Sequence, residues 1–186
     1  MVRIAIVVGS TRPNRNAADV ADWVHEHASA RTDARFELVD IADQHLPLLD
    51  EPLPPSLGQY KNEHTKAWSA KIASYDGFVF VTPEYNHSVP AALKNAVDYL
   101  YAEWNNKAIG FVSYGSAGGT RAVEAWRLIA AEVQMADVRA QVFLPFGSEF
   151  GEDFSFRPTE GATGALQAVF DQVVAWAQAL KPLRGA

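Results

Sequence analysis

An α/β fold, with a parallel sheet buried between two layers of helices, is what this chain predicts, and three observations predict it. The first is a set of apolar runs without polar alternation, clearest in Phe78 to Thr82 and again in Lys107 to Ser113. Such runs fit strands covered on both faces, as parallel strands are. The second is that segments of helical period separate these runs, which is the pattern of strand–helix–strand units. The third is that polar or glycine-rich loops follow the strands at their carboxyl ends, where open α/β sheets bind ligands.

Taken in order, residues 3–8 read as the first strand, and Gly9 to Asn16 (GSTRPNRN) as a polar turn. A helix follows with Ala17, Val20, Ala21, Val24 and Ala28 on one face. Phe36 to Ile41 forms the second strand, with Asp40 near its carboxyl end. Residues 42–58 carry four prolines and exclude a regular element. A second helix is expected from about Gln59 to Ser74, with His64, Ala67, Trp68, Lys71 and Ile72 on one side.

The third strand must stop at Pro83, because proline cannot donate to the ladder and restricts the residue before it. After the loop Glu84-Tyr85-Asn86-His87-Ser88-Val89, Pro90 suits a first helical turn, and Leu93, Ala96, Val97, Leu100, Tyr101 and Trp104 recur at helical spacing. Lys107 to Ser113 is the fourth strand and runs into Tyr114-Gly115-Ser116-Ala117-Gly118-Gly119-Thr120-Arg121. A helix with Val123, Trp126, Ala130 and Val133 inward leads to a fifth strand, Val138 to Leu144. Residues 145–160 form a long connection with four phenylalanines before a last helix carrying Leu166, Val169, Phe170, Val173, Ala177 and Leu180.

Five strands alternating with five helices give a three-layer sandwich with right-handed crossovers. The flavodoxin-like order 2-1-3-4-5 is the leading choice, and its switch point falls between strands 1 and 3. The loops at 9–16 and 83–89 then share one crevice, with 114–121 beside them. Neither an internal repeat nor an interdomain linker is visible, so residues 1–186 are expected to form a single domain.

The composition narrows the function classes. A net charge of −6 argues against a large nucleic-acid footprint or an anionic-membrane surface. With no cysteine, disulfides, thiolate catalysis and cysteine-ligated metals are ruled out. No apolar run approaches the ~18 residues of a membrane span, and the chain enters directly into a strand. Cytoplasmic residence is the expectation.

The first loop offers Ser10, Thr11, the guanidiniums of Arg12 and Arg15, Asn16, and free amides at a helix N-terminus. Such a place binds phosphate through backbone N–H groups, the helix dipole and arginine forks. It lacks the spacing of a P-loop and of a dinucleotide-binding turn, and the alternative is a solvated turn with Asn16 as N-cap. In the second loop, no spacing suggests acid–base or nucleophilic work, so no catalytic residue is assigned. Glu84 and His87 are a weak metal-ligand signal without a partner, and no metal is assigned either. Tyr85 either stacks on a planar ring or plugs the core, and Asn86 tolerates a left-handed turn. The glycines of the third loop let backbone approach a ligand closely and supply N–H donors. Together the loops describe a site for a planar ring with a phosphate tail, of which FMN is the natural occupant. The phospho-receiver variant of the fold needs carboxylates after strand 1, where the chain has Val8 and Gly9.

These residues resemble the NADPH-dependent FMN reductase family, whose relatives include quinone, azo-dye and chromate reductases. The resemblance runs in order through GSTRPNRN after strand 1, LPLLDE after strand 2, PEYNHSVPAALKNAVDYL and SYGSAGGTRA. It implies a flavodoxin-like fold, bound FMN, and a homodimer or homotetramer. Carried over, Ser10 and Arg12 contact the FMN phosphate; Pro83, Glu84, Tyr85 and Asn86 line the ring and ribityl chain. Tyr114, Gly115, Ser116 and Gly118 complete the set, the last three at the pyrimidine end. Many relatives have a serine where this chain has Arg15, followed by Asn16. Arg15 can bind the phosphate, or point to solvent or to NADPH.

The implied activity is an FMN-dependent NAD(P)H oxidoreductase. It takes hydride from NADPH or NADH and passes electrons to a small acceptor by a ping-pong mechanism. A flavodoxin-type electron carrier and a non-enzymatic flavin- or redox-sensing module are the alternatives. Residues 145–160 or 45–57 are expected to cover the flavin or a subunit interface, the alternative being loops folded onto their own domain.

Overall fold

The computed structural model describes residues 1–185. Its five parallel strands are β1 (Val2–Val8), β2 (Ala34–Asp40), β3 (Gly77–Pro83), β4 (Lys107–Gly115) and β5 (Met135–Pro145). They lie in the order β2-β1-β3-β4-β5 expected from the sequence, all pairs parallel. Between them run α1 (Ala17–Ser29), α2 (Glu63–Ala73), α3 (Ala91–Asp98) and α4 (Thr120–Glu132). A single helical turn, α5 (Phe146–Glu149), precedes the long α6 (Glu160–Leu180).

Position in the sheet decides how each strand reads. Every residue of β3 and β4 is buried, which is why their sequences show no alternation. The edge strand β2 alternates buried and accessible residues, and β5 is likewise irregular. One core fills the face under α1 and α6, where Val20, Val24, Leu166, Phe170 and Val173 meet Ile4, Ile6, Val79 and Val112. The other lies under α2, α3 and α4, where Trp68, Trp104 and Trp126 surround Phe78, Phe80 and Phe111. Each of these rings removes roughly 1.5–3 kcal/mol worth of apolar surface from water. Trp104 sits 4.9 Å from Phe78 and Trp126 5.5 Å from Phe80, both edge-on, the arrangement aromatic quadrupoles favour.

Three local expectations change. The second helix begins at Glu63, not near Gln59, because the Glu51 carboxylate accepts the backbone N–H groups of Lys61 (2.8 Å) and Asn62 (2.9 Å) and holds that stretch extended. Its buried face is Thr65, Trp68 and Ile72, with Ala67 outward. The third helix stops at Asp98, so Leu100 and Trp104 reach the core from turns rather than from helix. β5 is longer than Val138–Leu144 and carries a register shift against β4 between Ile109 and Phe111.

The phenylalanine-rich connection folds onto its own domain. Phe150 is buried, Phe146 and Phe156 pack against the α1/α6 core, and Phe156 meets Trp23 edge-on at 5.5 Å. Only Phe154 of the four is strongly exposed. The proline-rich segment behaves differently. Tyr99 and Asn95 pin its backbone, and Leu48, Leu49, Leu53 and Leu57 stay exposed. Among the described residues, no helix is long and apolar enough to cross a membrane.

Candidate functional site

The crossover that places β3 beside β1 brings the first two loops together, as the switch-point topology demands. Gly9 leaves β1 by donating its N–H to Val81 O at 2.8 Å. A side chain there would meet Leu93 at 2.7 Å and that same carbonyl at 2.8 Å, so only glycine lets the loop cross over β3. Ser10 follows, 1% exposed, with its hydroxyl 2.8 Å from the Tyr85 hydroxyl. It also accepts the Arg12 backbone N–H at 3.3 Å. Ser10 thus ties the first loop to the second.

The two arginines of the first loop part company. Arg15 donates to the Ser10 carbonyl at 2.7 Å and forms an ion pair with Asp40 at the end of β2. Its guanidinium is turned into the protein's own frame, a fate outside the three considered from sequence. Asp40 in turn accepts the Ala42 N–H at 2.9 Å, so the pair braces the first loop against the chain leaving β2. Arg12 is exposed, and its guanidinium makes no hydrogen bond or ion pair among the described residues. Asn16 occupies the N-cap position of α1, but its side chain makes no capping bond. A free cation beside the first turn of a helix favours an anion there.

The second loop is a tight reversal. Tyr85 and Ser88 exchange backbone hydrogen bonds of 3.1 Å each, and Asn86 (φ 49°) and His87 (φ 68°) both sit in the left-handed region. Two such residues inside a reciprocal bridge are the signature of a type I′ turn. Tyr85 is 38% exposed, so it presents its ring at the mouth of the crevice and does not plug the core. Pro83 is the buried last residue of β3, and Glu84 leaves it by donating its N–H to Tyr114 O at 3.2 Å. The Glu84 carboxylate, its side chain 7% exposed, turns to Arg121. It accepts the Arg121 backbone N–H at 3.1 Å and the side-chain Nε at 2.6 Å, with Nη2 also in the pair. Burial alone would push this carboxyl up, but the bonds from the Arg121 side chain and backbone outweigh it and hold it below its usual range. Arg121 Nη1 also donates to His87 Nε2 at 2.8 Å, which requires an uncharged ring with that nitrogen free.

The third loop is held open by its glycines. Gly118 (φ 68°) and Gly119 (φ 74°) take left-handed conformations, and a side chain on Gly119 would lie 2.7 Å from the Ser113 Cβ. Ser113 is buried, and its hydroxyl donates to Gly118 O at 2.7 Å, fixing the return of the loop. Ser116 and Ala117 stand exposed at the tip, and their N–H groups have no partner among the described residues. Gly115 is buried, 3.5 Å from Glu84 Cβ by any side chain placed on it. Tyr114 lies beneath, its ring against both Phe146 and Phe150, and burial pushes its phenol well up, with neighbouring Tyr85 adding to the effect.

All twelve residues expected from the sequence therefore fall at one end of the sheet, on three loops or, for Pro83, Tyr114 and Gly115, on the strand ends that enter them, though not all face one opening. The Glu84 carboxylate and the Arg15 guanidinium are engaged internally. Two residues were missed, Asp40 as the partner of Arg15 and Arg121 as the partner of Glu84. Each pair is separated by dozens of positions, and no spacing rule reaches that far. A larger concavity, about 880 Å³, lies elsewhere, along the outer edge of β5 between Arg127, Phe143, Gln172 and Trp176. Of its two arginines, Arg127 is already paired with Asp137, and the concavity lacks the open backbone of the three loops.

A glycine-lined crevice with a free cation, at the switch point of a 2-1-3-4-5 sheet, defines a flavodoxin-like protein with a place for an anionic ligand. The chain belongs to the NADPH-dependent FMN reductase family, whose profile matches residues 2–149. It is 39% identical, over 97% of its own length and 90% of the other's, to an NAD(P)H-dependent FMN reductase from a Nectria species. It is 32% identical, over 93% of each chain, to a quinone reductase from Pseudomonas putida. In fold it is similar to the solved structure of FerB, a flavoenzyme NAD(P)H:(acceptor) oxidoreductase from Paracoccus denitrificans. There the TM-score is 0.74 at 22% identity, covering 96% of this chain and 98% of the other. As a family member, the chain is an oxidoreductase that uses FMN and NAD(P)H. The electron-carrier and sensing-module readings are not favoured.

Proposed function

We propose that the crevice holds FMN between its three loops and that one open face serves both the nicotinamide and the acceptor. Ser10, Arg12 and the first amides of α1 would take the phosphate. Pro83, Tyr85 and Asn86 would flank the ring and ribityl chain, with Tyr114, Gly115, Ser116 and Gly118 on the opposite wall. Arg15 and Asn16 would act at one remove, shaping the loop that carries Arg12. The residues fit the group: a free guanidinium, and the unpaired amides of Ser116 and Ala117 on a loop whose left-handed glycines hold it in place. FMN supplies the redox chemistry, accepting hydride from NADPH or NADH and then reducing a small acceptor in a ping-pong cycle. The protein's residues bind and orient, which agrees with the absence of any acid–base pair in the loops. Flavin, quinone, azo and metal-oxyanion acceptors all suit an open face.

The observation that carries this reading is the unpaired Arg12 at the switch point, where Arg15 and Glu84 are both engaged in ion pairs. Titration of apoprotein with FMN, followed by flavin fluorescence, should show saturation at one flavin per chain. Absence of quenching at micromolar protein and FMN would defeat the reading. Exposed Leu48, Leu49, Leu53 and Leu57 support packing against a second copy, as a homodimer or homotetramer, which a solution mass of one chain would contradict. Dependence on NAD(P)H supports a cytoplasmic setting.

A further inference from the structure

We propose that Arg121 and the Glu84 carboxylate form a latch that holds the second and third loops at a fixed separation and neutralises the one carboxylate between them. This rests on the flavin reading above. Arg121 sits in the first turn of α4, immediately after the glycine loop, and Glu84 is the first residue beyond β3. The contact is a fork: the carboxylate takes both a backbone N–H and the guanidinium of the same residue, a geometry that fixes orientation as well as distance. The guanidinium then reaches on to His87 Nε2, inside the type I′ turn. One side chain thus touches the start of the second loop, its tip, and the helix that the third loop enters. The Glu84 backbone adds a parallel tie through Tyr114 O, and its Cβ lies against Gly115.

The latch has an electrostatic consequence. A carboxylate on a side chain 7% exposed would, without Arg121, place an uncompensated negative charge at the wall of the crevice. Reduction of flavin adds negative charge to the ring, so an unpaired Glu84 would oppose it, and the pair removes that opposition. Arg121 and Glu84 are positioning residues here.

Three variants separate geometry from charge, with FMN dissociation constants and flavin midpoint potentials measured on each. Arg121→Ala should raise the FMN dissociation constant about tenfold, the cost of leaving a buried carboxylate without its partner, and shift the potential to more negative values. Arg121→Lys restores the charge without the fork, and should recover the potential more fully than the affinity. Glu84→Gln combined with Arg121→Ala removes both charges, and should return the potential towards that of the wild type while affinity stays reduced. A purely structural contact would leave the potential unmoved in all three. Wild-type protein that binds FMN, with folded Arg121→Ala protein equal to it in affinity and potential, overturns the latch alone. Should Arg121→Ala not fold, an Arg121→Lys potential and affinity both equal to wild type, together with an unmoved potential in the double variant, overturns it equally. Wild-type protein that fails to bind FMN overturns the flavin reading and the latch with it.

Discussion

The two ends of the sheet treat their charged groups in opposite ways. At the amino end, Asp76 accepts the Arg3 N–H at 2.8 Å and pairs with both Lys181 and Arg184, while being 9% exposed. Lys107, 3% exposed, donates to the Ile72 and Ala73 carbonyls at the end of α2. These groups are consumed by the fold. At the carboxyl end, Arg12 and the tip amides of the third loop are left open, and the backbone adopts left-handed conformations at Asn86, His87, Gly118 and Gly119. Polar groups satisfied internally stabilise a protein, and polar groups held open by a rigid frame can bind. The same sheet supplies both, one at each end.

That contrast is sharpest for Asp76 and Arg12. Asp76→Ala should destabilise the protein by roughly 1–3 kcal/mol, since it removes the acceptor of the Arg3 N–H and leaves the partly buried Arg184 guanidinium without its carboxylate, and should leave FMN affinity unchanged. Burial would raise the Asp76 carboxyl, but the Arg3 N–H and the two cations hold it lowered. Its contribution is therefore present above the unfolded carboxylate range and is lost as pH falls through the folded value. Urea unfolding at pH 7 and again well below the ordinary carboxylate range reads both effects. Arg12→Ala should do the reverse, weakening FMN by about 1.5–3 kcal/mol, the worth of a charge-assisted bond, with stability within about 0.5 kcal/mol of wild type. Arg15→Ala should fall between them, costing some stability and some affinity, because it frees Asp40 as well as the loop.

Lys107 gives a smaller and more specific signal. Burial, with nearby Arg184 adding to it, lowers its ammonium to about 8, whereas the unfolded chain keeps the ordinary value near ~10.4. The unfolded state then binds more protons between these values, so stability should rise with pH through that window, by about 1–2 kcal/mol up to pH 9.5. Above pH 10 the trend should reverse, because half-buried Tyr60 and buried Tyr99 and Tyr114 have raised phenols and stay protonated only when folded. Lys107→Met should flatten the rise, and denaturant midpoints measured from pH 7 to 10.5 check it.

What could be read from the chain follows the same division. β3 and β4 were legible because burial on both faces writes an unbroken apolar run, and the helices because one face writes a period. From those elements the topology and the meeting of the three loops followed. What escaped depends on contacts distant in sequence: Glu51 delaying α2, Asp40 claiming Arg15, and Glu84 claiming Arg121. The 145–160 connection also escaped, since its phenylalanines have no period and their burial depends on where Tyr114 and Trp23 lie. Asn86 signalled a left-handed turn, and its neighbour His87, of a residue type also enriched in that region, was not read as its second half because the turn needs both positions together.

The most direct test is the visible absorption spectrum of the FMN-loaded protein, recorded anaerobically before and after one equivalent of NADPH. We expect an oxidised flavin spectrum that bleaches on addition and returns when a quinone is supplied. A bound flavin that stays oxidised with both NADPH and NADH would contradict an oxidoreductase working through these three loops.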